Sequence, residues 1–210
     1  MIKILIADDH RIVREGLKQI LAETEDMVVA DEASNVQEVL KKVAGNDYDV
    51  LLLDISMPGR SGLDILKQLK SERPKLSVLV LSMYSEEQYA LRALRAGASG
   101  YMTKESAPDE LIEAIRKVST GRKYISPAVA EKLAVSLESN DERPPQETLS
   151  DREFQVMCMI ASGKTVKAIA DELALSIKTV STYRARILEK MRMKNNAELT
   201  HYAIQNKLVE

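Results

Sequence analysis

The sequence predicts an α/β fold, a doubly wound five-stranded parallel sheet, followed by a small all-α domain. Three observations point there. Over residues 1–121, short continuous apolar runs alternate five times with amphipathic stretches of helical period. The runs are unbroken rather than alternating, as expected of strands buried on both faces of a parallel sheet. Past a polar, proline-bearing stretch at 139–147, the pattern turns wholly helical.

The strands are expected at Ile2–Ala7, Met27–Asp31, Val50–Leu53, Ser77–Ser82 and Ser99–Met102. Between and after them, apolar residues at helical spacing mark Ile12–Leu21, Val36–Val43, Leu63–Leu69, Glu87–Ala96 and Asp109–Val118. Right-handed crossovers restrict the topology, and strand order 2-1-3-4-5 sets the ends of the first and third strands side by side. Ser126-Pro127 opens a further helix to about Glu138, with proline where its missing N–H costs nothing. Ser139-Asn140-Asp141-Glu142-Arg143-Pro144-Pro145-Gln146-Glu147 has the composition of an interdomain linker. The expected division is residues 1–121, a linker with a short helix at 122–146, and a second domain at 147–210.

Polar groups close the apolar runs. Asp8 and Asp9 follow Ile4-Leu5-Ile6-Ala7, Asp54 follows Val50-Leu51-Leu52-Leu53, Ser82 closes Val78-Leu79-Val80-Leu81, and Lys104 follows Tyr101-Met102-Thr103. All strands of a parallel sheet end on one edge, where open α/β sheets bind ligands. Three carboxylates, a hydroxyl and an ammonium gathered there suit a divalent cation and a phosphoryl group. Mg²⁺ takes oxygen ligands and keeps several waters; Asp9 and Asp54 can supply carboxylates, with Asp8 as a third or outer ligand. A carboxylate can also accept a phosphoryl group as an aspartyl phosphate. Lys104 would neutralise phosphoryl oxygens and Ser82 would hydrogen-bond one. His10, after the acidic pair, is expected to face solvent at a helix start.

The chain has 210 residues, 45% apolar and 30% charged, with a formal net charge of −2. From Glu147 onward, ten Lys/Arg stand against eight Asp/Glu, an excess too small to establish nucleic-acid binding by charge alone. Cys158 is the only cysteine, which excludes an internal disulfide or a cysteine metal cluster; a core thiol is expected. The first apolar run breaks at Asp8, too short for a secretory segment, and no stretch approaches a membrane span. A cytoplasmic protein with no membrane contact is expected.

In the second domain, Ser150-x-x-Glu153 reads as a capping box with Leu149 and Phe154 as its hydrophobic staple. That helix stops near Gly163. Val166, Ile169, Ala170 and Leu173 mark the next, and Ser176 caps a third running to about Met191. A last helix spans about Ala197–Asn206. Two helices joined by a short turn suggest a helix-turn-helix. On the third helix Val180, Tyr183, Ile187 and Met191 form the buried stripe. Lys178, Thr182, Ala185 and Glu189 lie opposite, with Ser181 and Arg186 on the flanks. Small, hydroxyl and basic residues suit a major groove: Ala185 permits close approach, while Ser181 and Thr182 can bond base edges or phosphates.

Asp8-Asp9, Asp54, Met57-Pro58-Gly59, Ser82 and Tyr101-Met102-Thr103-Lys104 resemble the receiver domain of bacterial response regulators over about Met1–Gly121. Leu149-Ser150-x-Arg152-Glu153, Gly163-Lys164, Ile169-Ala170 and Lys178-Thr179-Val180 look like the LuxR-type domain of the NarL/FixJ regulators over about Glu147–Glu210. Ser176–Met191 and Ala197–Leu208 are especially similar to the GacA/UvrY branch. The resemblance implies that Asp54 is the phosphoacceptor, and that Asp8, Asp9, Asp54 and the backbone carbonyl of Ser56 serve Mg²⁺. It also implies that Ser82 and Tyr101 form a switch pair and Lys104 binds the phosphoryl group. Lys178, Thr179, Ser181, Thr182, Ala185 and Arg186 become the expected DNA contacts. Tyr183 stands at a common histidine position, and Ser181, Thr182 and Ala185 depart from NarL, so its operator cannot be borrowed.

The implied partners are a sensor histidine kinase, double-stranded promoter DNA, a second copy on activation and, as a further candidate, RNA polymerase. The implied protein is a regulator rather than an enzyme. Phosphatases of the haloacid dehalogenase type also use a strand-end Asp, but need an acid two residues later, where this chain has Ser56. An orphan DNA-binding regulator working without phosphate is the alternative; retention of Asp9, Asp54, Ser82, Tyr101 and Lys104 speaks against it.

Overall fold

The computed structural model describes residues 1–58, 60–84, 86–138 and 144–209. The linker residues Ser139–Arg143, and Gly59 of the loop after Asp54, lie outside the described residues. The chain divides into two compact units, Met1–Ala130 and Glu131–Glu210.

In the first unit, β1 (Ile2–Ala7), β2 (Met27–Ala33), β3 (Val50–Asp54), β4 (Ser77–Ser82) and β5 (Gly100–Thr103) alternate with α1 (Arg11–Ala22), α2 (Val36–Gly45), α3 (Gly62–Glu72), α4 (Glu86–Arg95) and α5 (Pro108–Ser119). The sheet is wholly parallel in the expected order β2-β1-β3-β4-β5. Ala7 pairs with Leu53, Asp54 with Leu81, and Ser82 with Thr103, so the strand ends form one edge.

Ile4, Ile6, Val50, Leu52, Leu79, Leu81 and Met102 pack with Leu17 and Leu21 of α1 and Leu111, Ile115 and Val118 of α5. The intervening residues, Leu5, Leu51, Leu53, Val78 and Val80, are equally buried and point to the opposite face. That two-sided burial explains why the runs are continuous rather than alternating.

β2 outruns its expected end at Asp31 by two residues. Asp31 and Glu32 are compatible with an edge strand because each has a partner. Asp31 receives Lys42 Nζ at 2.5 Å, and Glu32 receives Lys18 at 2.7 Å and Arg14 at 3.1 Å.

The helix begun by Pro127 is α6 (Pro127–Glu138). The second unit contains a 3₁₀ turn (Pro145–Thr148), then α7 (Asp151–Ala161), α8 (Val166–Glu172), α9 (Ile177–Lys190) and α10 (Asn196–Gln205). Composition had assigned Pro145, Gln146 and Glu147 to the linker, yet they form this turn. Thr148 donates to the Pro145 carbonyl at 2.7 Å and Tyr202 donates to Gln146, a tertiary anchor that polar composition does not reveal. The capping box is present: Ser150 accepts from Glu153 N–H while Glu153 accepts from Ser150 N–H. Cys158 is buried, as expected of a core thiol. Among the described residues no helix is long and apolar enough to cross a membrane.

Candidate functional site

The acidic residues at the strand ends meet. Asp54 is the last residue of β3 and is 1% exposed; Asp8 follows β1 at 2%. Lys104, one residue beyond β5, reaches back between them, its Nζ 2.6 Å from Asp54 Oδ2 and 2.6 Å from Asp8 Oδ2. Asp54 Oδ1 accepts the Ser56 N–H at 2.7 Å, so the loop after β3 fixes the carboxylate plane. Ser56 is thus joined to Asp54 through its amide, and its hydroxyl is buried without a hydrogen-bond partner.

Burial pushes the Asp54 carboxyl up from its ordinary range, opposed by the Lys104 charge and by hydrogen bonds from Lys104 and Ser56. Burial also works against the charge of Lys104, but Asp54 and Asp8 overcome it and hold the ammonium above its ordinary value.

Asp8, Asp9, His10 and Asp54 bring ligand atoms within 4.8 Å of one another. Asp9 Oδ1 is buried and receives no hydrogen bond, although His10 Nδ1 approaches to 3.1 Å. An anionic oxygen left without a donor in a cluster of carboxylates fits a hard cation, which prefers oxygen ligands. His10 is 66% exposed in its side chain, as expected, yet its ring borders the cluster. The His10 backbone N–H donates to Asp8 Oδ1 at 2.8 Å.

Ser82 is fully buried at the end of β4, and its Oγ accepts Tyr84 N–H at 3.1 Å. The Tyr101 ring is turned inward at 3% exposure and its hydroxyl donates to the Tyr84 carbonyl at 2.8 Å. Ser82 and Tyr101 are thereby linked through the two sides of one residue, Tyr84, which stacks on Tyr89 with centroids 4.7 Å apart. Burial raises the Tyr101 phenol well above its ordinary range. The sequence reading did not identify Tyr84; a single tyrosine at a helix approach has no distinguishing pattern.

In the second unit, Ser176 caps α9 by accepting Thr179 N–H at 3.0 Å. Val180 and Ile187 are fully buried and Met191 nearly so, while Tyr183 is half-buried. Lys178, Ser181, Thr182, Ala185 and Arg186 are all exposed. Thr179 differs: it is half-buried and its hydroxyl lies 2.8 Å from Ser176 Oγ, so it serves the cap. Thr182 Oγ1 donates to the Lys178 carbonyl at 2.9 Å, leaving its lone pairs outward.

Two contacts that orient α9 escaped the sequence reading. Lys190 Nζ lies 2.6 Å from Glu153 Oε2 of α7, and Arg184 Nε donates to Asn196 of α10 at 2.7 Å. Ala174, between α8 and α9, holds φ 52°, a left-handed turn that lets α9 start at a new angle.

The chain matches two families: the response regulator receiver domain over residues 4–116, and the luxR family of bacterial regulatory proteins over residues 147–203. It is 39% identical over 211 residues to response regulator GacA of Pseudomonas aeruginosa, covering all of this chain and 99% of that one. It is 37% identical over 209 residues to response regulator UvrY of Escherichia coli K12, covering 99% and 96%. Among solved structures it resembles RcsB of Salmonella enterica serovar Typhimurium, bound to promoter rprA in the presence of phosphomimetic BeF₃⁻. That likeness has TM-score 0.67 and 28% identity over 96% of this chain and 97% of that one.

Proposed function

This chain belongs to the response regulators that join a receiver domain to a LuxR-family DNA-binding domain, and on that premise we propose how its residues do the work. It is a phosphorylation-dependent regulator of transcription. One observation carries the assignment of the acceptor: Asp54 is the carboxylate at the centre of the strand edge, held by Ser56 N–H and Lys104 among Asp8 and Asp9.

A carboxylate oxygen of Asp54 attacks the phosphorus of a phosphohistidine on a sensor histidine kinase. The P–N bond breaks as the acyl P–O bond forms. Asp8, Asp9, Asp54 and the Ser56 carbonyl would hold Mg²⁺, which when bound offsets the negative charge of acceptor and donor. Lys104 exchanges a carboxylate partner for a phosphoryl oxygen, and Ser82 turns its hydroxyl from Tyr84 to another. The Tyr101 ring, which a switch pair would turn inward on phosphorylation, already lies inward behind Ser82, so of the proposed pair Ser82 is the member that moves. Slow hydrolysis of the acyl phosphate returns Asp54 to a carboxylate.

The division of labour is a receiver at 1–121, a linker at 122–146 whose last residue, Gln146, is anchored by Tyr202, and a DNA-binding domain at 147–210. Phosphorylation shifts a pre-existing equilibrium toward a form that dimerises and binds promoter DNA in the cytoplasm, with RNA polymerase as a candidate further partner. The α9 face bearing Lys178, Ser181, Thr182, Ala185 and Arg186 enters the major groove, and Thr179 secures its first turn. Exposure of these side chains beside the buried Val180–Ile187 stripe supports that orientation.

The test is phosphate incorporation from acetyl phosphate, read by intact mass. Wild type should label only with Mg²⁺ and gain affinity for a selected promoter duplex, whereas Asp54→Asn should do neither. Equal labelling of the variant would remove Asp54 as the acceptor.

A further inference from the structure

Past the end of β1, the backbone carrying Asp8 and Asp9 is held by two contacts to neighbouring elements. The Asp8 N–H donates to the Ala33 carbonyl at the end of β2, at 3.1 Å. The Asp8 carbonyl, which shares its peptide plane with the Asp9 N–H, accepts Arg14 Nη1 at 2.7 Å. Arg14 is only 14% exposed in its side chain, and its Nε donates to Glu32 Oε2 of β2 at 3.1 Å. Glu32 is in turn gripped by Lys18 at 2.7 Å, and that contact, with help from Arg14, holds its carboxyl below the ordinary range. A planar guanidinium thus spans from an edge strand to the Asp8–Asp9 peptide. It touches no carboxylate of the acidic cluster.

We propose that Arg14 is a positioning residue for the cation site, fixing the Asp8–Asp9 peptide so that both carboxylates converge with Asp54. This rests on the proposed reading of that cluster as a Mg²⁺ site. The fork geometry matters: one face of the guanidinium serves Glu32 while another nitrogen serves the carbonyl, and a lysine ammonium reaches one of the two. Residues that orient metal ligands without touching the ion typically change affinity by about 10- to 100-fold when removed. Arg14 acts before any phosphodonor arrives, so its loss should raise the Mg²⁺ requirement and leave the phosphorylation rate at saturating Mg²⁺ close to wild type.

The experiment measures Mn²⁺ binding to the full-length protein by electron paramagnetic resonance, alongside thermal unfolding without divalent ion. Arg14→Ala is expected to weaken Mn²⁺ binding by about tenfold or more, with Arg14→Lys between it and wild type. Arg116→Ala breaks a more exposed Arg–Asp pair away from the cluster, Arg116–Asp26 at 2.8 Å, and should leave Mn²⁺ affinity unchanged. Wild-type affinity in Arg14→Ala, or an equal loss in Arg116→Ala, overturns the inference while the metal reading stands. No Mn²⁺ binding by wild type overturns the metal reading and this inference with it. Should Arg14→Ala fail to fold, Glu32→Ala removes the acceptor of Arg14 Nε and keeps Arg14; a smaller loss of affinity is expected, and wild-type affinity overturns the proposal.

Discussion

Lys104 and Asp54, 50 residues apart, meet at 2.6 Å inside the receiver unit, and the same ammonium holds Asp8 at 2.6 Å. One buried cation is shared by two buried carboxylates. Burial dominates the Asp54 environment and raises its pKa. A carboxyl raised on folding binds its proton more tightly in the folded state. Its ionised form therefore costs stability at neutral pH, and that cost is relieved as pH falls through the raised value. Asp54→Asn should accordingly melt higher than wild type in divalent-free buffer, by about 2–4 °C for each kcal/mol relieved. A lower melting temperature for the variant would mean that the Lys104 contact outweighs burial.

Removing the cation has the opposite sign. Lys104→Ala leaves Asp8 and Asp54 facing each other unpaired, a loss of about 3 kcal/mol. Added Mg²⁺ should raise its melting temperature more than that of wild type. Phosphorylation should still occur, but phosphodonor should no longer raise DNA affinity, because no ammonium reads the phosphoryl group. A wild-type response to phosphodonor in this variant rules out that role.

Gly62 is required for space. A Cβ there would fall 2.4 Å from Ile55 Cα and 2.8 Å from its carbonyl oxygen, and both are backbone atoms that cannot turn aside. Ile55 follows Asp54 directly, so Gly62→Ala must push α3 or the acceptor loop. About 1–3 kcal/mol of destabilisation is expected, together with slower labelling by acetyl phosphate. Melting and labelling rates like those of wild type would show that α3 can shift freely.

Glu153 couples the cap of α7 to the end of α9. Burial works to raise its carboxyl, but Lys190 and the Ser150 amide and hydroxyl bring it below its ordinary 4.5. A depressed carboxyl contributes stability that is fully present above its unfolded pKa and lost as pH falls through the folded value. Protection factors of α7 and α9 amides in the full chain, corrected for the slower intrinsic exchange in acid, should therefore fall below about pH 4.5. Glu153→Gln should blunt that acid response and exchange faster at neutral pH. An unchanged acid profile in the variant would assign the sensitivity to another group.

Lys178→Ala and Arg186→Ala should weaken specific and random duplexes by similar factors and reduce the salt slope by roughly one unit each, as phosphate contacts do. Thr182→Ala and Ala185→Leu should hurt the specific duplex more, by about 1–3 kcal/mol. Salt titrations on a selected and a scrambled duplex separate the two. If the Thr182 and Ala185 variants lose both affinities equally, the α9 face does not read bases.

The elements themselves were legible because side-chain order encodes them locally. Continuous apolar runs bounded by Asp8, Asp54 and Ser82 marked strands to within two residues, and Ser150, Ser176 and their followers marked helix starts. The gathering of Asp8, Asp9, Asp54 and Lys104 was legible too, since parallel strands must end on one edge. Less visible was the order carried by edges and turns. β2 continued through Asp31 and Glu32 because salt partners on α1 and α2 offset their charges, and Pro145–Thr148 folded because Tyr202 was there to hold Gln146.

By itself, then, the sequence determined the two-domain architecture, the strand-end carboxylates and the buried stripe of α9, all properties of period and spacing. Only the tertiary structure decided that Lys104 divides its charge between two carboxylates, that Tyr84 joins Ser82 to Tyr101, and that Arg14 grips a main-chain carbonyl. It also decided that Glu153 reaches Lys190, 37 residues away. Periodicity fixes which face of an element is buried. Choice of a polar partner depends on which distant segments close packing brings within 3 Å, and a directional hydrogen bond leaves no period in the chain.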